Sequence, residues 1–149
     1  VTHAVWLPDS ETSFMYEEMA SDTAISLVPI CREGESMAIA AGLWVGGERP
    51  VVMVQNTGFF ASMNTLRAIA MEAQVPTLMF VGEFGRDVTK PNSESTNARV
   101  RVLEPTLDAW GVAYYRLDAP GDLPKVGLAL NESYERRGPV IVLIGAPTS

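Results

Sequence analysis

Six apolar runs of strand length recur along the chain, at 3–7, 24–30, 50–55, 76–82, 112–116 and 139–144. Longer stretches with helical spacing separate them, at 11–20, 34–46, 59–73, 98–110 and 122–137. Strands that are apolar on both faces need cover on both faces. Alternation with helices supplies that cover through crossover connections, which are right-handed. The pattern therefore predicts an α/β fold: a doubly wound, mainly parallel sheet of about six strands with helices on both faces. The punctuation agrees. Gly46-Gly47 closes one helix before Pro50 opens a strand, Pro120-Gly121-Asp122 turns into the last helix, and Gly138-Pro139 precedes the last strand. Gly85–Asn97 is polar and aperiodic, the pattern of a long surface loop, and such loops often carry function.

The chain has 149 residues, which suits a single domain over 1–149. Lys plus Arg is 11 and Asp plus Glu is 18, so the formal charge is 11 − 18 = −7. That balance argues against nucleic acid as a partner, because a phosphate backbone demands clustered cations. No apolar run approaches the roughly 18 residues of a membrane span. Cys31 is the sole cysteine and His3 the sole histidine. This excludes a disulfide framework and weakens every Cys/His, Ser/His/Asp or multi-histidine metal mechanism. The reading is of a cytoplasmic protein, with Cys31 as a small buried group.

In an open parallel sheet, ligands bind beyond the carboxyl ends of the strands. The polar clusters there are Pro8-Asp9-Ser10, Cys31–Glu35, Asn56-Thr57-Gly58 and Glu83-Phe84-Gly85. Glu33 stands between an apolar strand and the helix from Met37 to Gly47, which has no charged side chain. A desolvated carboxylate there could hold or give a proton near neutral pH. Equally, it could be a carboxylate favoured by the helix N-terminus. Asp9-Ser10 also reads as an N-cap, and Asn56-Thr57-Gly58 as a cap and turn. A helix apolar all round must be buried all round. Ala38, Ala41 and Gly42 would permit close approach by another subunit, the alternative being cover from the chain's own neighbours. No dinucleotide glycine motif, phosphate-binding loop or nucleophile elbow is present.

The run Cys31–Gly42 resembles the cofactor-activating segment of thiamine-diphosphate enzymes, in which a glutamate precedes an Ala-rich helix with a glycine nine residues on, as Glu33 and Gly42 do here. Leu7–Ser10, Val54–Gly58, Gln74–Glu83 and Leu103–Tyr115 are similar to the pyrimidine-binding (PYR) domain of phosphonopyruvate and sulfopyruvate decarboxylases. The resemblance implies that Glu33 is catalytic, hydrogen-bonding the cofactor's aminopyrimidine N1′, and that it is buried to keep its proton. It implies that Pro8, Asn56, Thr57 and Gly58 line the cofactor and that Ser10 meets the substrate carboxylate. It puts substrate-contacting residues in the loop 84–97 and makes Arg32, Arg86 and Lys90 candidates for a second anionic group. The Gly-Asp-Gly signature of the diphosphate-binding PP domain is absent. The resemblance therefore implies that Mg2+ and diphosphate are held by a separate PP-domain (β) subunit, in a hetero-oligomer such as a heterotetramer, acting on a 2-oxo acid. This chain would be the α subunit of a decarboxylase, inactive without that partner. Acyloin formation by a carboligase subunit and a non-catalytic scaffolding α/β domain are the alternatives.

Overall fold

The computed structural model describes residues 1–9 and 15–146. Its strands are β1 (His3–Trp6), β2 (Ser26–Pro29), β3 (Pro50–Gln55), β4 (Thr77–Gly82), β5 (Ala113–Leu117) and β6 (Pro139–Ile144). All pair parallel, in the order β2-β1-β3-β4-β6-β5. The α-helices are α1 (Tyr16–Ser21), α2 (Ser36–Val45), α3 (Asn56–Thr65), α4 (Ala98–Arg101), α5 (Leu103–Trp110) and α6 (Pro124–Arg136). This is the expected α/β architecture. The β-branched runs of β3 and β6 suit the two-sided burial of central strands. Alternation sends Val52 and Val54 to one face, against Met37, Phe59, Leu66, Leu103 and Leu107 of the helical layer. Val51 and Met53 point to the other face, with Trp6, Ala129 and Val142.

Several local expectations are corrected. The helix drawn over 59–73 begins at Asn56 directly after β3, with Gln55 as its N-cap, and continues as a π-helical segment, Leu66–Glu72. Asn56-Thr57-Gly58 is therefore the first turn of α3 and no separate loop. The stretch 98–110 is two helices meeting at Val102. Glu33–Glu35 forms a 3-10 turn of its own before α2, closed by the Ser36 hydroxyl donating to the Glu33 carbonyl at 2.6 Å. The α1 helix starts at Tyr16 with Met15 as N-cap, and the cap expected at Asp9-Ser10 falls against residues 10–14, outside the described residues. Ser10 lies outside the described residues. Cys31 is exposed, because it lies past the end of the edge strand β2.

The α2 helix is covered on one side only. Met37 and Ala40 are buried against the sheet, and the Trp44 ring meets that of Tyr134 with centroids 5.3 Å apart. Ala38, Gly42 and Val45 are exposed, Val45 at 83%. On the opposite sheet face, α1 and α6 leave between them an apolar cavity of about 700 Å³, lined by residues including Ala4, Met53, Leu78, Phe80 and Leu130. No helix of the described residues is long and apolar enough to cross a membrane.

Candidate active site

The strand order fixes where a ligand can enter. From β1 the chain goes first to β2 on one side, then returns to β3 on the other. The direction of winding thus reverses between β1 and β3, and the crevice outside the carboxyl ends of those strands is the natural binding place in such a sheet. Pro8 follows β1 there and is exposed. Asn56, Thr57 and Gly58 open α3 directly off β3. Glu33 reaches the same place from the 3-10 turn after β2.

Glu33 and Gly58 are in contact. A Cβ added at Gly58 would stand 2.9 Å from Oε1 of Glu33 and closer still to its Cγ. The missing side chain of Gly58 is thus the room that the glutamate occupies. Glu33 is half-buried, not buried as the resemblance implied. It sits in a short turn, one side resting on α3 and the other open. Among the described residues no donor or cation engages its carboxylate, so the acid remains available to a ligand. Asn56 beside it is fully buried, and its Oδ1 has no hydrogen-bond partner while its Nδ2 donates to the Phe84 carbonyl at 3.0 Å. An uncommitted acid, an orphaned buried acceptor and a glycine-made recess form a donor–acceptor set that fits an aminopyrimidine, which offers both ring nitrogen and amino group.

The loop after β4 closes one side. Asn97 Nδ2 also donates to the Phe84 carbonyl, at 3.3 Å. Arg99 NH1 donates to Thr57 Oγ1 at 2.8 Å, and its guanidinium carbon lies 4.9 Å from the centroid of the Phe84 ring. Sequence reading singled out none of Asn97, Arg99 and Arg116. Arg116 was legible as a charge inside the strand Ala113–Leu117, and such a charge needs a partner.

That partner is Glu83, whose side chain is fully buried at the end of β4. Arg116 meets it at 2.6 Å, and Arg86 meets it at 3.3 Å. Arg116 also pairs with Glu104 at 3.0 Å, and Arg86 pairs with Asp118. Burial works against the Arg116 charge, but the hydrogen bonds it donates to Glu83 and Asp118 outweigh that and raise its pKa. The hydrogen bond from Arg116, then that from Arg86, holds Asp118 down at about 2. Asn92 ties the loop to this network, donating to Glu83 at 2.8 Å. Arg86 is thereby consumed internally, and Lys90 pairs with Asp87 at 3.5 Å. Arg86 is therefore not free to meet a substrate anion as the sequence suggested, whereas Lys90 is exposed and a surface pair of that length does not hold it. Among the described residues no group of three His, Cys, Asp or Glu side chains is placed to hold a metal.

No family model matches the chain. Against curated proteins it is 30% identical over 110 residues to the sulfopyruvate decarboxylase subunit alpha of Methanothermobacter thermautotrophicus, covering 70% of this chain and 66% of that protein. It is 25% identical over 141 residues to the subunit of the same name from Methanocaldococcus jannaschii, covering 94% and 82%. Benzoylformate decarboxylase from Polynucleobacter necessarius superposes with a TM-score of 0.74 at 20% identity, over 97% of this chain and 27% of that one. A Mycobacterium smegmatis protein described as a thiamin diphosphate-dependent enzyme gives 0.68 at 20% identity, over 100% and 30%. The fold is that of the PYR domain of thiamine-diphosphate-dependent enzymes. Within that class, the chain resembles the alpha subunits of sulfopyruvate decarboxylase.

Proposed function

We propose that this chain is the PYR subunit of a two-subunit, thiamine-diphosphate-dependent 2-oxo acid decarboxylase, with Glu33 as the proton-handling residue. The observation that carries the reading is the Glu33 carboxylate, seated on Gly58 at the winding reversal and engaged by no other side chain among the described residues. Glu33 would hold a proton against N1′ of the aminopyrimidine, while Asn56, Thr57, Gly58 and Pro8 line its ring and Ser10 meets the substrate carboxylate. The cofactor supplies, when bound, the carbon nucleophile and electron sink for loss of carbon dioxide. A separate PP-domain subunit would hold its diphosphate through Mg2+. The names of the relatives support a partner, since they denote one subunit of an assembly.

The test is calorimetric titration of thiamine diphosphate with Mg2+ into this chain, into the PP-domain protein and into their mixture, followed by 2-oxo acid turnover. Binding is expected in the mixture alone. Glu33→Gln is expected to keep assembly and to cost about 10²–10⁴-fold in turnover, the usual worth of a positioned proton carrier. Full activity in Glu33→Gln would overturn the assignment.

A further inference from the structure

We propose that Gln55 is a further substrate-contacting residue, its side-chain amide donating to the carboxylate of the 2-oxo acid from the wall of the crevice opposite Glu33. The inference rests on the decarboxylase reading above.

Gln55 ends the central strand β3, at the winding reversal. Side chains alternate along a strand, so Gln55 follows Val51 and Met53 to the face of Trp6, while Val52 and Val54 face the helical layer with Phe59. Glu33 rests on α3 in that helical layer. The two side chains therefore flank the crevice from its two sides. The neighbouring strands leave room beside the amide. Gly82 of β4 stands in register with Gln55 and has no side chain. On the other side Leu7, whose N–H donates to the Met53 carbonyl at 3.4 Å, leads into the exposed Pro8.

The amide itself is uncommitted. Gln55 is half-buried, its Oε1 is enclosed without a hydrogen-bond partner, and its Nε2 makes no hydrogen bond among the described residues. It stands at the N-cap position of α3, yet its side chain caps nothing. Asn56, Arg86 and Asn92 also enclose an unpartnered atom, but each spends the rest of its side chain on hydrogen bonds. Gln55 spends neither end. The residues of β3 before it are apolar and buried, and a buried polar atom without a partner is costly. Packing alone would put an apolar side chain there. An amide kept at the expense of stability marks a place that serves a ligand.

A neutral donor suits a carboxylate that is about to leave. A guanidinium would hold the full charge of the bound acid more tightly than the transition state, in which that charge is moving out of the group. An amide orients the group with less of this penalty. Its hydrogen bond is no stronger in the transition state, so its loss appears in KM and not in kcat.

The experiment compares the wild type with Gln55→Met and Gln55→Glu, each assembled with the PP-domain subunit, thiamine diphosphate and Mg2+. The substrates are 2-oxo acids with apolar and with anionic chain ends. Gln55→Met keeps the volume and removes the polar atoms. It is expected to raise the urea midpoint of the chain and to raise KM by about 10- to 100-fold, the worth of a hydrogen bond to a charged group, equally on every acid. Gln55→Glu exchanges the donor for a negative charge and should raise KM further. A lowered urea midpoint in Gln55→Met would make the amide structural. An unchanged KM in either variant would leave it without a ligand, and a rise confined to one chain end would make it a reader of that end. Each of these overturns the proposal. If the wild-type assembly decarboxylates none of the acids, the decarboxylase reading fails by itself. Equilibrium dialysis of labelled oxamate, an unreactive 2-oxo acid analogue, against the assembly then decides Gln55 alone. Binding by the wild type that Gln55→Met weakens by about 10-fold or more upholds the proposal, and equal binding or none overturns it.

Discussion

Gly58 decides where the Glu33 carboxylate can stand. The two residues lie 25 positions apart in sequence (58 − 33), and no spacing rule joins them; the pairing exists because the turn after β2 and the first turn of α3 converge where the winding reverses. A methyl group at 58 would meet Cγ, Cδ and Oε1 of Glu33, the middle and end of a flexible side chain, so the carboxylate would swing away and the backbone would stay. Gly58→Ala is therefore expected to leave the fold intact and to lower turnover by about 100-fold, the scale of a 1 Å misplacement of a reacting group. Added to Glu33→Gln it should cost almost nothing more, a non-additivity that a double-mutant cycle on kcat would show. Equal and additive losses would mean that the contact has no part in the chemistry. At this scale the sequence was informative only in part. The position of Glu33 between a strand and a charge-free helix was legible from residue types. Its half-exposure was not, because the 3-10 turn that lifts it out of α2 has no strong signature. Arg99 looked like any surface arginine, since what distinguishes it is its contact with Thr57, 42 residues away in sequence, and with the Phe84 ring.

Between β4 and α5 the elements are joined by charge. Glu83 ends a buried strand and must be neutralised, and Arg116 and Arg86 do so from β5 and from the loop itself. Glu83→Gln would leave two arginines facing a neutral group, and it is expected to lower unfolding free energy by about 3 kcal/mol, the usual cost of breaking a buried pair. A urea titration reads this directly. Asp118, at the outer end of the network, gives the pH dependence. Its pKa in the folded chain is about 2, below the ordinary 3.8, so its contribution is complete above about pH 4 and drains away as pH falls toward 2. Asp118→Asn should flatten the acid side of the stability profile in that window. An unchanged acid limb would show that other carboxylates carry it. Gly85→Ala combines a strained left-handed φ with a clash on Asn97, and should destabilise by about 1–3 kcal/mol while loosening the turn that seats Arg99. All six strands were legible in the sequence, the central ones because two-sided burial writes itself as continuous apolar runs, the edge strands β2 and β5 as shorter, partly buried runs. Helix ends were less so. The break at Val102 and the π-helical stretch Leu66–Glu72 are set by packing on the sheet, which residue periodicity does not record.

Among the described residues two apolar surfaces stand open at the scale of the whole fold, and they differ in kind. The cavity between α1 and α6 is lined by apolar groups and offers no chemistry. The outer face of α2 is made by the exposed residues Ala38, Gly42 and Val45, and it belongs to the helix that begins just after the Glu33–Glu35 turn. A helix with so little polar character gains nothing from exposure to water, and its small residues let another backbone approach closely. If the PP-domain subunit completes the site at Glu33, α2 is the element it must pass over. Gly42 tests this cleanly, because a Cβ there meets nothing within 4 Å inside the chain. Gly42→Arg should leave the isolated chain at least as stable, since glycine inside a helix costs about 1 kcal/mol relative to better helix formers. The same substitution should abolish co-elution with the PP-domain subunit and, with it, the binding of thiamine diphosphate by the mixture. Retained co-elution with the bulky arginine in place would put the subunit contact elsewhere on the fold, and would leave the open face of α2 without a role in assembly.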